Sequence, residues 1–178
     1  MNNTRNTTTN NTSSKMTGRF TIAALFAALM AVCLILSGCS SSGSGSDKEL
    51  TVDVQALADA LNEKTVTSDT LTATTESMLP TIYLIDADVL KEGAAYMSSG
   101  ATAGEVAVFA LNSADDTANV REILEQRVAS QKELYASYNA DEVSRLDTAI
   151  IRTAGSYAVL CVCDDPDQAE EILKEYGF

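Results

Sequence analysis

The sequence predicts an α+β fold: an antiparallel sheet of about four strands, arranged as two hairpins, with a long helix and shorter helices packed on one face. Three observations carry this. Val120, Ile123, Leu124, Val128, Leu134, Tyr135 and Tyr138 fall on one stripe at helical spacing, marking a helix of about 20 residues or more. Glu105 to Leu111 (EVAVFAL) and Tyr157 to Cys163 (YAVLCVC) are short apolar runs with many β-branched residues, the composition of strands. Gly155 separates the second run from Ala149 to Thr153, as a hairpin requires.

Each element follows in order. In Thr51 to Lys64, Val52, Leu57, Ala58 and Leu61 recur at helical spacing, with Asp53 in the first turn where the helix dipole favours an anion. Residues 65–81 are rich in Thr and Ser and close at Pro80, so they read as an irregular connection with one turn of helix at most. Asp86 to Leu90 is a turn, Gly93 to Ser98 a weakly alternating strand, and residues 98–104 a loop. EVAVFAL, between Gly104 and Asn112, is a strand central in the sheet or covered on both faces. Asp115 and Asp116 open the long helix and Asn139 ends its stripe, with Arg121 and Glu125 forming an i,i+4 pair on its other face. Asp141 to Asp147 is a short helix burying Val143 and Leu146. Asp165 before Pro166 suits an N-cap followed by proline at the first helical position, and Ile172, Leu173 and Tyr176 face the core.

The chain is not uniform along its length. It has 178 residues, 12 basic and 25 acidic with no histidine, a formal charge of −13. Residues 1–38 hold three basic and no acidic residues, so from Cys39 onward the balance is nine basic to 25 acidic, or −16. Residues 1–19 are mostly Asn, Thr and Ser with Arg5, Lys15 and Arg19, and translation starts at Met1 or at Met16. Phe20 to Leu36 is an uncharged apolar run of 17 residues, followed by Leu36, Ser37, Gly38 and Cys39. That group resembles the bacterial lipobox. The resemblance implies cleavage between Gly38 and Cys39, with Cys39 as the new N-terminus carrying a diacylglycerol on its sulfur. Residues 1–38 are then a signal peptide, residues 39–48 a lipidated cysteine and Ser/Gly tether, and residues 49–178 a single extracytoplasmic domain. Lys15 and Arg19 keep the N-terminal side inside. The alternative, an uncleaved signal anchor, places the domain on the same side. A tether of about nine residues spans roughly 15–18 Å, so the domain sits close to the outer face of the cytoplasmic membrane.

The residues GEVAVFAL, the long helix with Arg127 and Gln131, YNADEVSRLDTAIIRTAGSYAVLCVCDD and the short final helix are similar to a family of small clostridial-type lipoproteins known only as a domain of unknown function. The likeness covers residues 85–176 and rests on the order of elements and the Gly-x-Tyr turn at Gly155 and Tyr157. It implies a Gram-positive envelope lipoprotein. It carries no activity, substrate or site residue.

The chemistry available is narrow. Without histidine there is no imidazole base, no Ser-His-Asp triad and no His-ligated metal. An acidic domain lacks the clustered cations that nucleic acid needs. None of the G-x-S-x-G, H-E-x-x-H, C-x-x-C, Walker or G-x-G-x-x-G patterns occurs. Cys161 and Cys163 read first as small buried side chains, since strand residues i and i+2 lie about 6.5–7 Å apart, beyond relaxed disulfide geometry. Two thiolates do not complete a zinc site. Asp164, Asp165 and Asp167 read as a capped, solvated turn, lacking the glycine and closing Glu of an EF-hand loop. Arg127, at the edge of the apolar stripe, and Arg152, semi-buried in an apolar strand, are expected to meet internal carboxylates. With Tyr157 they are also the candidate ligand contacts, and Tyr135, Tyr138 and Tyr157 are candidates to line a cleft beside Arg127.

The expected function is a non-enzymatic, lipid-anchored binding or envelope-assembly module with no cofactor or metal. Its partners are the membrane, through the anchor, and an envelope protein or small ligand. The alternatives are an accessory subunit of a transporter or envelope complex, and a carboxylate-based hydrolase.

Overall fold

In the computed structural model, residues 50–178 are described, and they form one compact unit. The order is α1 (Val54–Thr65), β1 (Thr72–Ala73), a 3₁₀ turn (Glu76–Met78), α2 (Leu79–Tyr83), β2 (Leu90–Met97) and β3 (Glu105–Leu111). A second 3₁₀ turn (Ala114–Asp116) then leads into α3 (Thr117–Ala136), α4 (Ala140–Asp147), β4 (Ile150–Ala154), β5 (Tyr157–Val162) and α5 (Pro166–Glu175). The class is α+β, and the sheet is antiparallel throughout in the order β1-β2-β3-β5-β4. Both expected hairpins form, β2–β3 and β4–β5, the latter through Gly155 at φ +54°, a conformation open to glycine without strain.

Two expectations are corrected. The sheet has five strands rather than about four, because Thr72 and Ala73 pair with Met97 and Tyr96 at its edge. Two residues are too few to carry an alternation in sequence. The helices cover both faces, not one. Val106, Val108, Val159 and Cys161 face α1 and α5, meeting Leu57, Leu61, Ile172 and Leu173. Their neighbours Ala107, Phe109, Leu160 and Val162 face α2, α3 and α4, meeting Leu79, Leu124 and Leu146. Successive strand residues point to opposite faces, so a strand buried at every position must be covered twice. β3 and β5 are buried at every position.

Local signals place the helix ends. Asp53 accepts the Ala56 N–H at 2.9 Å and Asp165 the Gln168 N–H at 3.0 Å, each satisfying a donor that the first turn leaves open. Pro80 lies in the first turn of α2, where its missing N–H is harmless, so it begins a helix rather than ending an irregular segment. Gly93 lets α2 come close to β2: a Cβ there would stand 2.6 Å from Leu79 Cδ1. No helix among the described residues is long and apolar enough to cross a membrane.

Candidate functional site

The site is built around an ion pair under the long helix. Glu105 is the first residue of β3 and is 3% exposed. A carboxylate so buried is costly unless paired and hydrogen-bonded. α3 supplies the partner from its buried side: Arg127 Nε donates to Glu105 Oε1 at 2.8 Å and Nη1 donates to the Ile82 carbonyl at 3.3 Å. The guanidinium lies over the Tyr83 ring, 4.7 Å from its centroid, and that ring packs edge-on against Phe109. Burial opposes the Arg127 charge, but the Glu105 carboxylate outweighs it and raises the guanidinium pKa above its ordinary value. Burial, with Glu105 beside it, pushes the Tyr83 phenol well up, and its hydroxyl makes no hydrogen bond. The result is an ion pair without net charge, locked over a neutral tyrosine.

Over this pair runs a groove. A depression of about 350 Å³ lies between the end of α2 and α3, walled by Ile82, Leu84, Ile123 and Leu134, with Gln126, Ser130 and Gln131 as its uncharged polar groups. A smaller one of about 140 Å³ shares Gln131 and Leu134 and continues to Tyr135, Tyr138 and the 98–104 loop. Tyr135 donates to the Thr102 carbonyl and Tyr138 to the Gly100 carbonyl at 3.2 Å, fixing that loop against the helix end. Four large apolar side chains are exposed in the described residues, and three border this groove: Leu84 at 80%, Leu134 at 56% and Tyr138 at 55%. Leu84 also holds a left-handed backbone (φ 57°, ψ 35°) where α2 ends, a conformation unfavourable to any residue with a Cβ.

The sequence offered no signal for a second charged cluster, centred on Arg145. Its Nη2 meets Asp164 Oδ1 at 2.9 Å and Ser68 Oγ at 2.8 Å, and its Nε meets Glu142 Oε2 at 3.3 Å. Glu142, only 7% exposed, also accepts the Ala103 N–H, and Asp164 accepts the N–H groups of Thr67 and Ser68. Burial raises the Asp164 pKa, but those two N–H groups, the Ser68 hydroxyl and Arg145 bring it down to about 2. The cluster ties the 67–70 and 98–104 segments to α4, with each charge met by another. A surface-helix pattern such as DEVSRLD does not distinguish an inward arginine from an outward one.

The residues named from sequence do not converge. Arg127 finds its carboxylate in Glu105. Arg152 is exposed rather than semi-buried, because β4 is an edge strand, and it pairs with Glu170 on α5. Tyr157 is buried among the α1 and α5 residues, across the sheet from Arg127, so of the three tyrosines only Tyr135 and Tyr138 reach the groove. Cys161 and Cys163 are free and buried. The interaction between the two thiols lowers the Cys163 pKa and, with burial, raises that of Cys161. Leu36, Ser37, Gly38 and Cys39 lie outside the described residues.

A family model described as Domain of unknown function (DUF4358) matches residues 64–163. No curated protein and no solved structure matches the chain. The matched span runs from the end of α1 to Cys163 and takes in all five strands, the long helix, the Arg127–Glu105 pair and, of the Arg145 cluster, every member but Asp164. On that match the chain belongs to the family Domain of unknown function (DUF4358).

Proposed function

We propose that this protein is a lipid-anchored, extracytoplasmic binding module that holds its partner in the groove along α3. The groove over the Arg127–Glu105 pair carries the reading: it is concave, mostly apolar and furnished with a few convergent polar groups, the character of a binding cleft. Its one carboxylate is held by an arginine, an arrangement that suits a fixed surface better than proton transfer. The location is supported by the sequence Leu36-Ser37-Gly38-Cys39 after an apolar run and by the Ser/Gly stretch that follows.

Two experiments test the two halves. Cys39→Ala should abolish acyl labelling and leave an uncleaved precursor; labelling that persists would sink the anchor. A photocrosslinking residue at position 130, inside the groove of the full chain in cells, should give a discrete adduct that Leu134→Glu removes. Adducts indifferent to that substitution would remove the groove from the function.

A further inference from the structure

The groove has a length and a charge that narrow what fits it. Its two depressions share Gln131 and Leu134 in their walls, and together those walls run from Ile123 to Tyr138. At 1.5 Å per residue that stretch is about 22 Å. Six or seven residues of extended polypeptide cover the same distance at about 3.3 Å each. A compact metabolite would fill one end and leave the rest open.

Only two ionic groups line the whole strip, Arg127 and Glu105, and they neutralise each other. The remaining polar groups are the amides of Gln126 and Gln131, hydroxyls such as Ser130 and the Gly100 carbonyl. Amides and hydroxyls donate and accept at once, which matches a peptide backbone. An anionic headgroup would find the guanidinium already engaged. A second copy of this chain would bring another −16 of charge from Cys39 onward.

Leu84 adds an independent observation. Glycine would hold the left-handed position without strain, yet a leucine stands there with most of its side chain in solvent at the lip of the groove. Within the fold its side chain has little to pack against.

We propose that the groove takes an extended, uncharged, apolar segment of a partner protein, about six residues long. Its side chains enter the wells bordered by Leu84 and Ile123 and by Leu134 and Tyr138, and its backbone amides meet Gln126 and Gln131. This rests on the binding reading above and adds the class of ligand.

The test uses the acylated full chain in nanodiscs of neutral lipid. Fluorescent seven-residue peptides in three sets, uncharged apolar, acidic and basic, are titrated by polarisation beside two compact probes, hexanoate and dihexanoyl phosphatidylglycerol. Binding is expected from the uncharged apolar set and is expected to weaken at least tenfold in both Leu134→Glu and Leu84→Gly. Leu84→Gly should raise Tm at the same time, so its lost binding cannot be ascribed to lost folding. Charged peptides binding best, or peptide binding indifferent to both substitutions, overturns the inference. A compact probe that binds in a Leu134-dependent way while peptides do not overturns the peptide and leaves the binding module standing, as does Leu134-dependent self-association. Failure of every probe, together with no crosslink from position 130, overturns both.

Discussion

Glu105 opens a strand buried at every position, and a carboxylate there is stable because Arg127 reaches it from α3. Arg127→Met should therefore destabilise the fold by about 3–5 kcal/mol, since it leaves the buried carboxylate without its partner. The double variant Glu105→Leu/Arg127→Met should recover most of that loss, because two apolar groups remove the desolvation problem together. Urea midpoints of the single and double variants measure the difference. Leu84 is the opposite case. Releasing its left-handed strain with Leu84→Gly should stabilise the domain by about 1 kcal/mol, read as a higher midpoint with an unchanged slope. A neutral or destabilising result would mean that the side chain packs after all. At this scale the sequence was informative where one residue was chemically out of place: an arginine on an apolar stripe signals a buried acid, though not which one. It was silent on Leu84, since no local pattern marks a leucine that will end a five-residue helix with positive φ.

Among the elements, β3 and β5 were legible because apolar residues at successive positions cannot be solvated on either side. The Asp165 cap was legible because a short acceptor before a helix has one mechanism, whereas Asp53, read as an anion in the first turn, is the cap of α1 instead. The two-residue strand β1 and the helix α2 were not, since a strand fixed by pairing with β2 and a helix fixed by packing on Gly93 have their cause in tertiary contacts. The Arg145 cluster was hidden for the same reason: its members come from the 67–70 segment, α4 and the turn before α5, far apart in sequence. It has a pH signature. Aspartate ordinarily titrates at 3.8 and Asp164 at about 2, so on acidification the unfolded chain takes up this proton first. The stability contributed by Asp164 is fully present above pH 4 and is lost as pH falls through about 2. Asp164→Asn should be less stable than the parent at pH 5, with the gap closing towards pH 2. A gap of constant size across urea midpoints from pH 2 to 5 would show that the carboxylate charge is not what holds the turn.

Across the whole molecule, one sheet serves two cores. The layer with α1 and α5 and the layer with α2, α3 and α4 share the strands β2, β3 and β5, so neither layer can be lost without exposing the back of the other. Loss of either face would uncover a row of Val, Leu and Phe side chains, at about 25 cal/mol for each Å² returned to water. The two faces should therefore melt as a single cooperative unit. Leu57→Ala in the first layer and Leu124→Ala in the second, both side chains fully buried, should each cost about 2–5 kcal/mol. Both variants should shift the far-ultraviolet circular dichroism transition and the tyrosine fluorescence transition by the same amount. Fluorescence is a fair reporter because Tyr83 and Tyr135 lie in the second layer and Tyr157 in the first. If Leu57→Ala moved one transition and left the other in place, the layers would be separable. The groove would then sit on a half-domain able to open without unfolding the rest. Coincident transitions would make it a fixed surface on a rigid scaffold.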